Sequence, residues 1–330
     1  MKQPLLALSL LLLALPASAQ YGRQEPGLSG ELSLNGLYIS SQSQFNTDGT
    51  ARIDSLNQRP ETETRTLFAP LGNVRYTFGR RADKQLFAGT TRSDIAVGTL
   101  AFELGYRQQL MRNGTSVAVS WLPTILAGET WADPFLLGSN RTTTDERGNA
   151  FRLRLENIAG SGVSLDTAYG KKSLDQERSG SSWGLSQTQQ DSLRRNASYN
   201  YLKANYRLSV SRSTSIAPAL VYIHTSADGA AYSNDSLGGE LSIFHRTGPH
   251  QLALTAGYSE RHFRQGHPLY GDSKRNDREY NIFLAYELQQ LLGWPNLSLV
   301  SFAGYNQVES NLNFYDEEQL LASLGLNFRF

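Results

Sequence analysis

The run Arg152-Leu153-Arg154-Leu155-Glu156 alternates charge with leucine. Side chains of an extended chain point alternately to opposite faces, so Arg152, Arg154 and Glu156 share one face and Phe151, Leu153 and Leu155 the other. The opposition recurs along the chain. Glu103 and Arg107 stand against Phe102, Leu104 and Tyr106; Asp166 against Val163, Leu165 and Tyr169; Lys203 and Arg207 against Tyr206, Leu208 and Val210. Arg75 and Glu287 extend the polar set, with Glu240, Thr255, Asn281 and Asn327. Charges placed this way attract ions and polar solutes, or pair with one another. Clustered Arg and Lys favour anions and Asp and Glu favour cations. Arg152, Arg154, Lys203 and Arg207 therefore predict a modest anion preference, against which salt bridges to Glu103, Glu156, Asp166 and Glu287 would work.

Catalytic and metal chemistry find less support. The histidines are His224, His245, His250, His262 and His267. Only His224 and His262 sit where a surface site would lie. Ser226, Asp228, Ser259 and Asp272 are candidate partners, but such residues fill any polar loop, and a triad is defined by geometry. There is no Cys, no His-x-x-x-His and no Asp-rich loop with calcium spacing. The acids Asp145-Glu146 and Asp316-Glu317-Glu318 read as solvated, or lipopolysaccharide-bridging, loop residues. No enzyme activity, metal or other cofactor is expected. A formal net charge of +1 points away from a nucleic-acid partner.

The elements that position these charges are strands. Alternating segments fall at roughly 30–40, 68–79, 85–92, 98–110, 115–125, 149–158, 162–171, 198–211, 215–225, 237–246, 250–260, 278–290, 297–308 and 320–330. That makes about fourteen, with twelve to sixteen as the range. Short links with turn residues, such as Asn113-Gly114, Gly160-Ser161 and Gly248-Pro249, alternate with long polar links at 41–67, 93–97, 126–148, 172–197, 226–236, 261–277 and 309–319. The apolar faces also carry Leu100, Val119, Trp121, Leu252, Leu254, Tyr258, Tyr280, Ile282 and Leu284. Aromatics gather near the ends of the runs, as rings do at a lipid–water boundary.

The termini agree. Lys2 precedes an apolar run, Leu5 to Leu15, and Ala17-Ser18-Ala19 supplies a small-residue cleavage pattern, so residues 1–19 read as a signal peptide and 20–330 as a single exported domain. The last strand puts Leu320, Ala322, Leu324, Leu326, Phe328 and Phe330 on one face, with Leu321 the exception on the other. This ending resembles the outer-membrane β-barrel (porin-like) proteins of Gram-negative bacteria. The resemblance implies an all-β transmembrane antiparallel barrel with short periplasmic turns, long extracellular loops and both termini in the periplasm. It also makes Phe328 and Phe330 a signal to the barrel assembly machinery. The segments 69–79 and 128–134 are similar to an uncharacterised family of exported γ-proteobacterial proteins, which brings no assigned activity.

Eight strands leave an interior filled by side chains, and sixteen to eighteen an aqueous channel. Fourteen predicts a water-filled passive channel for small hydrophilic solutes, lined by Arg75, Glu103, Arg107, Arg152, Arg154, Glu156, Asp166, Lys203, Arg207 and Glu287. The stretch Glu129 to Pro134 opens a long link, so Glu129 and Asp133 are candidates for an infolded constriction. The remaining partners expected are outer-membrane lipid and lipopolysaccharide, around a monomer. The alternatives are a binding or adhesion barrel with a closed lumen and, further off, a surface-facing barrel hydrolase. Fatty-acid transport fits poorly, because the stretch before the first strand is too short for the hatch of that fourteen-stranded family.

Overall fold

Period-two alternation resolves into fourteen antiparallel strands in one closed sheet. The computed structural model describes residues 25–90, 101–110, 113–124 and 127–330. The signal segment 1–19, Leu100 and the link 93–97 lie outside them. The strands are β1 Gly27–Gln42, β2 Thr62–Phe78, β3 Lys84–Thr90, β4 Phe102–Gln109, β5 Ser116–Pro123 with a continuation Gly128–Trp131, β6 Thr143–Glu156 and β7 Val163–Leu174. They go on as β8 Ala197–Tyr206 with a continuation Leu208–Ser209, β9 Thr214–Ala227, β10 Asn234–Thr247, β11 His250–His267, β12 Ser273–Gln289, β13 Leu297–Ser310 and β14 Glu317–Arg329.

Each strand pairs with the next, and β14 pairs with β1 from Gln42↔Glu318 to Glu31↔Arg329, which closes the sheet. The seam is completed by Phe330, whose N–H donates to the Gly30 carbonyl at 3.1 Å while Gly30 N–H donates to the Phe330 carbonyl at 2.9 Å. Gly30 is required here: a Cβ on it would lie 2.6 Å from both the Phe330 ring and the Asn73 carbonyl.

Leu32, Phe68, Val119, Phe151, Leu220, Ile282 and Leu326 stand on the outer wall, exposed because their partner is lipid. Tyr258 and Tyr280 pair at 5.1 Å, and Tyr76 and Phe78 at 6.0 Å, on the same surface. Leu321 breaks the alternation for a reason: it points inward and packs with Leu37, Leu71, Phe283 and Phe302. A second inward apolar group joins Ala168, Tyr201, Val221 and Ala253.

Several strands overrun the bilayer. β2 has 17 residues and β11 has 18, against about 9–11 needed for a tilted crossing. The surplus lies at the end where the long connections emerge. There β6 begins at Thr143 rather than 149, and its first residues pair with the β5 continuation, Glu129↔Asp145 and Trp131↔Thr143.

Candidate functional site: the lumen and its mouth

A belt of ion pairs crosses the lumenal wall from β4 to β10. Arg152 donates from Nε and Nη2 to the two carboxylate oxygens of Asp166 on the neighbouring strand, at 2.9 and 2.6 Å. It also reaches Glu103 at 3.2 Å, as does Arg154. Glu103 and Arg152 stand on β4 and β6, so this bridge passes over β5. The strand allows it by facing inward with small residues, Ala118 and Ser120. Further round, Lys203 donates to Glu240 at 2.6 Å over β9, which presents Ala219 and Val221 below. Asp166 and Lys203 are register partners, which joins the two groups.

Three bases meet three acids in this belt, and water hardly touches it: Glu103 is 0 % exposed, Arg152 2 %, Asp166 2 % and Lys203 2 %. Isolated charges would not survive such burial, which costs several kcal/mol per ion. The inward pointing of these side chains follows from the lipid outside, where mid-bilayer charge costs roughly 2–4 kcal/mol. Sequence gives the face of each residue. It does not give its partner, which depends on register and on which neighbour is small.

The other candidates stand on the same inward faces. Arg107 pairs with Glu156, which also accepts from Ser116 Oγ at 3.0 Å. Arg329 reaches Glu287, with Glu31 at 3.9 Å. Arg207 lies 4.8 Å over the Phe244 ring and donates to Ser215. Arg75 is half-buried between the inward-facing Asn73 and Thr77. The four bases from which an anion preference was expected are thus held by acids in three cases and by a ring and a hydroxyl in the fourth. The interior expected from strand number is lined at the belt by these side chains and by the inward apolar groups.

Above the belt the long connections close over the mouth. The connections after β1, β5, β7, β9 and β13 contribute Ile53, Leu56, Phe135, Leu193, Ala231, Phe314 and Tyr315 to one apolar core, with Leu269 and Tyr270 from the connection after β11 packed against it. Strands β1 and β7 lie on opposite sides of a fourteen-strand ring, so loops from both can share a core only by spanning the opening. Phe135 and Phe314 are 0 % exposed there, 5.1 Å apart. Large apolar residues in otherwise polar stretches, Phe45, Phe135 and Phe314-Tyr315, are the signal from which a loop core was legible.

Two arginines hold this plug from within. Arg141 donates to the carbonyls of Gln44, Thr50 and Ala51 at 2.8–3.0 Å and lies 4.3 Å over the Trp131 ring. Burial pushes its pKa down to about 10, with Asp133 opposing, so it stays charged at neutral pH. Arg195 pairs with Glu177 and donates to the Trp131 carbonyl at 2.5 Å. Asp133 does fold inward, but as an anchor: it accepts from the N–H groups of Phe135 and Gly180 at 3.0 Å. Glu129 does not. It belongs to the β5 continuation, where pairing with Asp145 on β6 fixes it in the wall.

His267 closes the core. Its Nδ1 accepts from Leu269 N–H at 3.3 Å and its Nε2 lies 2.7 Å from the Tyr315 hydroxyl, the tautomer following from the first bond. Arg275 lies 3.6 Å over the Tyr315 ring. The other surface histidines are turned outward: His224 bonds Asp235 at 2.7 Å and His262 bonds Asn276 at 2.9 Å. Among the described residues no three His, Asp or Glu converge to hold a metal.

The model of the family described as "Protein of unknown function (DUF2860)" matches residues 27–329, and the chain belongs to that family. No curated protein matches it in sequence. Among solved structures it is similar to a FadL homologue of Pseudomonas aeruginosa, at 11 % identity over 92 % of this chain and 90 % of that one, with a TM-score of 0.46. It is also similar to the outer membrane channel DcaP of Acinetobacter baumannii, at 10 % identity over 92 % and 96 %, TM-score 0.44. A third is OmpT, an outer membrane protein of Vibrio cholerae, at 7 % identity over 91 % and 98 %, TM-score 0.39. At these scores the likenesses decide nothing about function.

Proposed function

We propose that this DUF2860 barrel is a passive outer-membrane channel for small polar solutes, monomeric, with both termini in the periplasm and a mouth that its own loops close in this conformation. The observation that carries the reading is the lumenal belt of Glu103, Arg152, Arg154, Asp166, Lys203 and Glu240. A buried ion network is weak support for a fold, since apolar residues of equal volume do as well or better. Charges kept inside a barrel that could be filled with leucine therefore point to solute handling. Charge of both signs within the wall favours polar over apolar solutes in the lumen. Because bases and acids balance, the belt supports weak ion selectivity, and less of the anion preference that Arg152, Arg154, Lys203 and Arg207 suggest by themselves.

A second reading, a binding or adhesion barrel with a closed lumen, draws on the plug of Phe135, Phe314 and Tyr315. Planar-bilayer conductance of the refolded mature protein separates the two. Discrete openings, with a reversal potential near zero in a salt gradient, are expected of the channel. A bilayer that stays silent while the protein keeps heat-modifiable migration on gels would leave the binding barrel.

A further inference from the structure

The inward face of β9 to β12 contains a small cavity beside the belt. Ser236, Glu240, Ser259, Arg261, Glu279 and Asn281 are among its lining. Glycines make room for it. Glu240 packs against Gly257, where a Cβ would meet its Cγ at 3.2 Å, and Gly238 lies against Ser259. The free volume is about 20 Å³, enough for one water-sized occupant, which needs roughly 10–15 Å³.

Two carboxylate oxygens in this lining lack a hydrogen-bond partner, Glu240 Oε1 and Glu279 Oε1. Both residues are more than nine-tenths buried. Their other oxygens are taken, Glu240 Oε2 by Lys203 and Glu279 Oε2 by Arg261. A bare buried carboxylate oxygen costs about 1–3 kcal/mol or more, so each calls for a donor or a cation. The surrounding charge chooses between them. Four carboxylates, Glu240, Asp277, Glu279 and Glu317, share this part of the lumen with three bases, Lys203, Arg261 and Arg275. One negative charge is left over.

The geometry points to a monovalent cation site in the lumenal wall, with sodium held between Glu240 Oε1 and Glu279 Oε1 and completed by side-chain oxygens of the same lining. A single positive charge offsets the excess carboxylate, whereas a divalent ion overshoots it. Hard oxygen ligands and a space near one water in size suit a small ion that sheds most of its hydration shell. The site is independent of whether the barrel conducts.

The test is thermal unfolding of the full mature barrel in detergent at fixed ionic strength, with sodium chloride exchanged stepwise for choline chloride. Binding to the folded state alone raises Tm with ligand concentration, here by about 3 °C across a range well above Kd. The rise is expected to saturate with sodium, and Glu279→Gln or Glu240→Gln is expected to abolish it. Should either variant fail to fold, the wild-type comparison decides by itself, with ²³Na line broadening as its second readout. A Tm that follows ionic strength alone, with no excess broadening of the sodium signal, overturns the proposal and leaves water in the cavity.

Discussion

Arg152 and Asp166 face each other on adjacent strands with two parallel contacts, 2.9 and 2.6 Å, while the third nitrogen of the guanidinium reaches Glu103 two strands the other way. One planar side chain thereby ties β4, β6 and β7 from inside the barrel. The fork geometry is what arginine supplies and lysine does not. Its value lies less in net stabilisation than in what its loss exposes.

Replacing Arg152 with alanine strands Asp166 and leaves Glu103 to Arg154 alone, in a space closed to water. Removing one partner of such a buried pair costs about 3–5 kcal/mol. The variant is expected to lose that much stability in urea titrations followed by the gel shift of the folded barrel. A triple change, Arg152→Met with Glu103→Gln and Asp166→Asn, should recover most of it. Equal losses in the single and triple variants would show that packing, and not unpaired charge, sets the cost.

How much of this could be read in the sequence depends on the range of each interaction. Alternation fixes faces locally, so all fourteen strands and the inward pointing of Arg152, Glu103 and Lys203 follow from it. Alternation shows the last strand only as two-faced; that Phe330 marks the closing strand is what the resemblance to outer-membrane barrels implies. Pairing is not local: Lys203 finds Glu240 only because the strand between them carries Ala219 and Val221. The inward Leu37, Phe283 and Phe302 look like ordinary members of a mixed strand until the barrel closes on them. Glu129 was misplaced because a strand interrupted after Pro123 resembles a loop in composition.

Arg141 is the plug's main internal tie, because one guanidinium binds three backbone carbonyls of the first long connection. Arg141→Ala takes that donor from the Gln44 and Thr50 carbonyls, at about 1–3 kcal/mol for each group, while the Ala51 carbonyl keeps the backbone N–H of position 141. The strand pairing of the barrel wall is untouched by the change, which removes only the contact to the Trp131 ring at the upper end of β5. Protease cleavage within 43–61 should therefore speed up by tenfold or more while the unfolding of the barrel stays within about 0.5 kcal/mol of wild type. In bilayers the same variant should open more often. Unchanged cleavage would mean that the apolar core around Phe314 holds the loops without this arginine.

Closure of the sheet turns on Gly30. Its lack of a side chain lets the ring of Phe330 lie across β1, and any Cβ collides with that ring and with the Asn73 carbonyl. Gly30→Val is expected to reduce the yield of heat-modifiable barrel in refolding, and Phe330→Ser to reduce it in cells, where recognition by the assembly machinery adds to the loss. If Gly30→Val folds with wild-type yield, the seam tolerates a shift and Phe330 matters for recognition alone.

Acid should loosen the mouth through His267. The lipid-facing stretch of β11 ends at Tyr258, so His267 stands outside the bilayer, within the loop core. Burial, with Arg275 nearby, lowers its pKa from the usual 6.5 to about 3. The groups around it cannot stabilise a second positive charge: Tyr315, Tyr270 and Tyr232 stay neutral, their pKa values raised chiefly by burial, and Asp277 is committed to Arg275. A protonated Nδ1 would also lose the Leu269 N–H. Between pH 6.5 and 3 the unfolded plug binds a proton that the folded one refuses, so stability is full above about pH 6.5 and declines as pH falls toward 3. Loop cleavage and channel opening are expected to rise between pH 7.5 and 5 in the wild-type protein. His267→Gln keeps a polar contact to Tyr315 and removes the titration, so the difference between the two pH profiles isolates this one group. Superimposable profiles would place the acid response on the carboxylates of the belt instead.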